Sequence, residues 1–413
     1  MDGSAHTTEA HTGEAESAYA WVRLLTSLAI GTIGAVGMWA VVVTLSAVQA
    51  EFGVARADAS LPYTLAMIGF GLGTVILGRM LDRLGIVIPV VGATLLLGLS
   101  FIASGFAPSL TTFALANLLI GAGGAVGFAP LIADISHWFM RRRGIAVAVC
   151  ATGNYLGGAI WPPIVQRLTE AGGWRQAQIA VGAVCLATML PLAMVLRRRL
   201  AAHQSHAASA AAQNGGSGTA LGLSPTALFA LLCIAGVACC VAMAMPQVHI
   251  VAYCGDLGYG AARGAEMLSL MLGFGIISRV ASGFVADRIG GVATLLMGSV
   301  AQGLALVLYL FFDGLASLYV VSALFGLFQG GIVPMYAVIV REYFPPRLAG
   351  TLVGLVIMAT IVGMALGGWL SGAIFDLTGS YFQAFVHGLA WNLLNGAIAA
   401  FLLLRGRLRH APA

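Results

Sequence analysis

Gly78-Arg-Met-Leu-Asp82-Arg83-Leu-Gly85 and Gly283-Phe-Val-Ala-Asp287-Arg288-Ile-Gly290 lie 205 positions apart and share four of eight residues in the pattern G-x-x-x-D-R-x-G. Trp138-Phe139-Met-Arg-Arg142 returns as Tyr343-Phe344-Pro-Pro-Arg347 at the same offset. Trp174-Arg-Gln176-Ala177 returns more weakly as Tyr381-Phe-Gln383-Ala384 at an offset of 207. Three pairs in one order, at nearly constant spacing, mark an internal duplication. Between the two copies, residues 200–223 are small, polar and low in complexity, which reads as a flexible linker.

The composition says where such a duplicated chain can live. Of 413 residues, 60% are apolar and 8% are charged, against about 25% charged in soluble domains. All 20 basic residues are arginine. A water-soluble enzyme and a disordered chain are excluded on these numbers. The net charge of +5 forms no basic stripe that would follow phosphates, which excludes a nucleic-acid partner. About 20 apolar residues span a bilayer, and the sequence divides into twelve such segments, six on each side of the linker. The expected fold is an all-α membrane protein with 12 transmembrane helices in two six-helix, pseudo-symmetric bundles. An even number of spans per copy makes the repeats parallel. The expected divisions are a tail over 1–20, bundles over 21–199 and 224–405, the linker, and a tail over 406–413. With both termini cytoplasmic, fifteen arginines face inward and four (Arg56, Arg167, Arg175, Arg263) outward, a clear positive-inside bias. The acidic first residues lack the basic start and short apolar core of a signal peptide, so the first helix is expected to stay in the mature protein.

The two G-x-x-x-D-R-x-G loops, the Trp-Phe…Arg-Arg-Arg-Gly stretch over 138–144 and Gly172-Gly-Trp-Arg175 resemble the major facilitator superfamily over nearly the whole chain, about 21–405. The resemblance implies two bundles around a central cavity that opens to either side in turn. In the loops, Asp82, Arg83, Asp287, Arg288 and Arg142 are candidate cytoplasmic gate residues, since carboxylates there can face helix N-termini and arginines across the mouth. The alternative is that these charges only solvate loops and set orientation.

Charge within a membrane span is costly and usually functional. None of the 15 acidic residues falls at the middle of a span. Arg279 does fall within one, roughly 12 Å from the inner end of its span, with no acid at its depth. Arginine stays protonated at any working pH, so an unpaired guanidinium must face water or meet an anion. It binds a carboxylate through two parallel hydrogen bonds. A structural arginine on backbone carbonyls or on Asp287 is the competing reading. The same region, Gln247-Val-His249-Ile-Val-Ala-Tyr253…Asp256-Leu-Gly258 followed by Ser278-Arg279…Gly283…Asp287-Arg288, resembles the monocarboxylate transporter and oxalate–formate antiporter branch, as does Leu370-Ser-Gly-Ala-Ile-Phe-Asp376-Leu-Thr-Gly379-Ser380-Tyr381. That resemblance implies that Arg279 binds substrate carboxylate and places His249 at the cavity. Oxalate carriers carry a second cation, a lysine in span 11; this chain has no lysine. Animal monocarboxylate carriers carry an aspartate one turn before the arginine; here Gly275 stands there.

His249, near neutrality in intrinsic acidity, is the candidate proton carrier, with Asp256 and Glu266 as outer relay groups; packing and loop roles are the alternatives. Asn117, Asn154, Tyr155, Gln329 and Tyr336 are candidate substrate-binding groups or equally interhelical hydrogen bonds. Met38, Trp39 and Phe128 suggest a partly apolar lining. The six cysteines show no metal or redox spacing, the linker's His203 and His206 read as solvated linker with a metal role as the alternative, and no nucleophile–base pair appears within the spans, so neither cofactor nor enzyme activity is expected. The expected activity is secondary transport of a small monocarboxylate by alternating access, with proton symport; carboxylate exchange and a non-transporting sensor are the rivals. The expected partners are the carboxylate, a proton and the lipid bilayer, with a functional monomer. The arginine-rich, lysine-free composition suggests a bacterial inner membrane.

Overall fold

The computed structural model describes residues 17–127, 129–139, 142–198 and 222–410. The tail up to Glu16, Phe128, nearly all of the linker and residues 411–413 lie outside the described residues, as does the side chain of Asp82. Every described regular element is helical. Eleven helical segments are long and apolar enough to cross a bilayer. One of them, Ile145–Val195, has 51 residues, too long for a single crossing of a core about 30 Å thick. It breaks at Gly173, whose φ of 81° ends one helical arm and starts another.

Breaks within other segments have the same local logic. Ala18–Gly34 (α1) passes into Val36–Phe52 (α2) at Ala35. Leu110–Gly124 is followed by a single 3-10 turn over Ala125–Gly127 and then by Ala129–Trp138. Leu315–Gln329 and Ile332–Tyr343 are parted at Gly330 and Gly331. The last two breaks, at Ala125 and Gly330, stand at equivalent places in the two copies.

The duplication also governs packing. A Cβ added to Gly121 would collide with the Ala66 carbonyl, and one added to Gly326 would collide with the Met271 carbonyl. Both pairs are separated by the repeat offset, so the same helix contact is built twice. Small residues allow this approach of backbones where lipid supplies no hydrophobic drive between helices.

In each bundle the first and last helices meet at one end. Tyr19 donates to the Val195 carbonyl at 2.6 Å, and Arg405 donates to the Gly222 carbonyl at 3.3 Å. We call this the terminal end and its opposite the far end. A buried ion pair fastens the terminal end of the N-terminal bundle. Arg23 Nε lies 2.7 Å from Asp134 Oδ2 and Nη2 lies 2.8 Å from Oδ1, while Nη1 donates to the Leu196 and Arg198 carbonyls. The Arg23 guanidinium also stands 4.6 Å from the Trp138 ring centre. Arg23, one of the fifteen arginines assigned to the cytoplasmic side, is 2% exposed, because a carboxylate and two carbonyls inside the bundle engage its guanidinium.

Three pairs of helices join the bundles. Arg56–Leu84 (α3) packs along Pro346–Thr378, the N-terminal arm of Gly153–Val195 packs along Ala261–Ile289 (α10), and α2 meets Pro225–Asp256 (α9). Polar links between the bundles stand at the far end, where Arg56 meets Asp256, and at mid-depth, where Arg279 meets the Ala151 carbonyl.

Candidate functional site

α10 carries Arg279 ten residues before its terminal-end residue Ile289, about 15 Å along the axis. The side chain is half-buried and points across the bundle interface. Its Nε donates to the Gly330 carbonyl at 3.4 Å and its Nη1 to the Ala151 carbonyl at 3.5 Å, both at the long limit of a hydrogen bond. The guanidinium carbon stands 4.4 Å from the Tyr155 ring centre. No carboxylate of a described residue lies within ion-pair distance of it. Burial alone therefore does not distinguish Arg279, since Arg23 and Arg56 are more buried; the absence of a carboxylate does.

Tyr155 reaches Arg279 because Gly275 has no side chain. A Cβ on Gly275 would sit 2.4 Å from Tyr155 Cε1, so the aromatic ring takes the space one turn before the arginine. Gln329 neighbours Tyr155 and is completely buried, yet neither of its amide atoms has hydrogen-bond geometry to a described partner. Its amide adds hydrogen-bonding capacity beside Tyr155 and close to Arg279. Asn154, beside Tyr155 in sequence, is half-buried. Trp39, 3% exposed, has a buried Nε1 without a partner, and it packs where Gly158 leaves room.

Other candidates lie elsewhere. Asn117 donates to the Phe113 carbonyl one turn back in its own helix. Tyr336 donates to Asn395 Oδ1 at 2.8 Å inside the C-terminal bundle. Glu266 takes Arg263 at 3.0 Å and the Tyr319 hydroxyl on the rim of the same bundle, and it is not joined to His249. Arg83, Arg142, Asp287 and Arg288 are exposed at the terminal end.

His249 sits seven residues before the end of α9, about 10 Å from the far end, and so lies well above the depth of Arg279. It is fully buried. Nε2 lies 2.8 Å from the Gly368 carbonyl, and Nδ1 lies 3.0 Å from the Tyr381 hydroxyl. A carbonyl only accepts, so Nε2 carries the proton. Arg56 Nη1 donates to the Tyr381 oxygen at 2.8 Å, which turns the Tyr381 proton toward Nδ1. The network thus assigns a neutral His249 of one tautomer.

Arg56 itself links the two bundles, and its carboxylate partner stands 200 positions away in the chain. Its Nη1 and Nη2 lie 2.6 and 3.2 Å from the two oxygens of Asp256, and Nε donates to Gln49. The Arg56 and Ala57 amides, the first of α3, donate to the two oxygens of Asp376 at 2.8 and 2.7 Å. A carboxylate of one bundle therefore caps a helix of the other, where the helix dipole favours it. Arg56, Asp256 and Asp376 each stand at the end of a span; the sequence offers Asp256 only as an outer relay candidate for His249 and pairs none of the three, and only tertiary structure brings these span ends together.

A family model described as Major Facilitator Superfamily matches residues 27–317 and 267–412. A protein named monocarboxylate transporter 13 from Bos taurus is 30% identical over 308 residues, covering 74% of this chain and 70% of that one. Its namesake from Rattus norvegicus is 29% identical over 321 residues, with the same coverages. Among solved structures, the nucleoside transporter NupG superposes with a TM-score of 0.72 at 15% identity, covering 92% of this chain and 99% of that one. A bacterial homologue of the lysosomal transporter Spinster superposes at 0.69 and 16% identity, covering 96% of this chain and 99% of that one. The chain is a multi-pass membrane protein of the major facilitator superfamily and belongs to its monocarboxylate transporter-like branch.

Proposed function

We propose that the protein carries small organic monocarboxylates across the membrane by alternating access, with one proton per carboxylate. The observation that carries this reading is Arg279: a permanent cation at mid-depth, on the interface of the two bundles, facing Tyr155 and held only by two long bonds to carbonyls. An anionic carboxylate supplies the bidentate partner the site lacks. One fixed cation matches one carboxylate, and a proton makes the transfer electroneutral.

With Gly173 as a turn between two spans, the chain crosses twelve times, and the arginine bias puts the terminal end and both termini in the cytoplasm. The far end then faces outward and is held shut by Arg56, Asp256 and Asp376. The cytoplasmic charges Asp82, Arg83, Asp287, Arg288 and Arg142 form the opposing gate, engaged when the far end parts. The bacterial inner-membrane reading rests on composition, whereas the relatives named above are mammalian.

The test is uptake of labelled carboxylates by purified protein in liposomes. Uptake into empty vesicles driven by an inward proton gradient is the expected result. Uptake that requires carboxylate already inside the vesicles would replace symport by exchange, and no uptake of any carboxylate would sink the reading.

A further inference from the structure

The proton site of such a transporter needs an address, and the far-end cluster has an unusual composition. His249, Tyr381, Asp256 and Asp376 all belong to the C-terminal bundle; the cation among them, Arg56, belongs to the N-terminal one. The charged groups acting on His249 are Arg56, Asp256 and Asp376. From the remaining packed elements, Tyr253 lies against the Tyr381 ring, Gln49 accepts from Arg56, and Tyr63 packs over Gly368 with its buried hydroxyl unpartnered. Every polar atom of His249 is engaged in the neutral form.

We propose that this cluster is the proton-binding site and that Arg56 is its second, tethered occupant. The inference rests on the transport reading above and specifies where its proton goes. While Arg56 donates to Tyr381, the Tyr381 proton is directed at His249 Nδ1, and an imidazolium would stand beside a guanidinium. Proton and Arg56 therefore exclude each other. When the bundles part at the far end, Arg56 leaves with α3. Tyr381 then regains a free lone pair, and its oxygen accepts an Nδ1–H from His249. Two carboxylates, Asp256 and Asp376, remain beside the imidazole with no cation among them. The proton enters from the far side and takes the position that Arg56 vacates. When the bundles close, Arg56 displaces it. No bond other than N–H and hydrogen bonds changes, and the displaced proton leaves along the translocation path toward the terminal end.

Thermodynamic linkage gives the signature. The far-end-open state binds one proton more than the closed state, so acid favours opening, at most about tenfold in the open-to-closed ratio per pH unit. The experiment is pulsed electron paramagnetic resonance on spin labels at Phe106→Cys and Phe312→Cys, which stand at the far ends of the two bundles, after the six native cysteines are replaced by alanine. It is run without carboxylate, from pH 8 to pH 5 (roughly a thousand-fold range in proton activity at one proton per step). The native far-end distance is expected to lengthen as pH falls. In Arg56→Gln the closed state no longer excludes the proton, and in His249→Gln the acceptor is gone while an amide still serves Gly368. Both variants should lose the pH dependence, and Arg56→Lys should keep it. A distance that ignores pH in the native residues, or a pH response undiminished in His249→Gln, overturns the proposal. Because no carboxylate is present, that failure leaves the Arg279 reading standing, and failure of carboxylate uptake leaves this linkage standing.

Discussion

Arg279 and Arg23 show how partners, rather than depth, define what a membrane arginine does. Arg23 has a bidentate carboxylate and two carbonyls and is structural. Removing one member of such a buried pair leaves an uncompensated charge and costs about 3–5 kcal/mol. Asp134→Ala is therefore expected to lower the unfolding midpoint of the purified protein far more than Arg79→Ala at the exposed terminal end. Equal midpoints would show the pair to be dispensable. At Arg279 the neighbouring ring is the test. Tyr155→Phe keeps an aromatic face over the guanidinium and should bind carboxylate like the native protein. Gly275→Ala pushes the ring away, since its Cβ falls 2.4 Å from Tyr155 Cε1. A loss of aromatic contact worth about 1 kcal/mol predicts a several-fold weaker carboxylate affinity in equilibrium binding. Native affinity in Gly275→Ala would mean that Tyr155 does not orient the arginine. Arg279 was legible in the sequence because a charge inside an apolar run stands out. Gly275 was legible only as a departure from the family pattern; that it makes room for Tyr155 needed the structure.

At the scale of elements, the cap on α3 is the distinctive contact. Its first two amides are satisfied by Asp376 from the other bundle rather than by its own N-cap residue, Ala55, which makes no side-chain cap bond. The helix end is thus complete only while the far end is closed. Asp376→Ala removes that cap, worth about 1 kcal/mol. It should shift the far-end equilibrium about fivefold toward separation, read as faster labelling of a cysteine at Ser60, a position buried in the closed interface. Unchanged labelling would show that the cap does not hold the gate. Sequence reading found the spans because each is one long apolar run, and it found the duplication because loop motifs survive at fixed spacing. The far-end cluster was not legible, because Arg56 stands 200 positions from Asp256 and 320 from Asp376, and nothing local distinguishes a pairing charge from a solvated one. His249, which the resemblance places at the cavity and chain length places toward the outer end of its span, bonds to Gly368 and Tyr381 near the far end, partners that lie 119 and 132 positions away.

For the molecule as a whole, the duplicated bundles place two distinct polar sites on one interface. Arg279 sits at mid-depth against Tyr155 with two long bonds to carbonyls, and the Arg56 cluster joins the bundles at the far end above it. Opening the far end costs the ion pair, the cap and the close packing of α3 on Pro346–Thr378, including the Thr64 bond to the Ala365 carbonyl. In the proposed alternating-access cycle these links are exchanged for contacts at the terminal end, a rigid-body change between two packings. The twofold repeat was readable from the sequence, but which end is closed was not, since both packings use the same residues.

Carboxylate recognition by this protein turns on whether Arg279 holds the carboxylate. The deciding measurement is equilibrium binding of a labelled monocarboxylate panel to purified native protein, Arg279→Ala and Arg279→Lys, each first checked for native monodispersity and melting. The expected result is binding by the native protein, a drop of tenfold or more (about 1.4 kcal/mol or more) in Arg279→Ala, and partial recovery in Arg279→Lys, which keeps the charge but not the bidentate fork. Carboxylate binding at native affinity by a well-folded Arg279→Ala protein would contradict it.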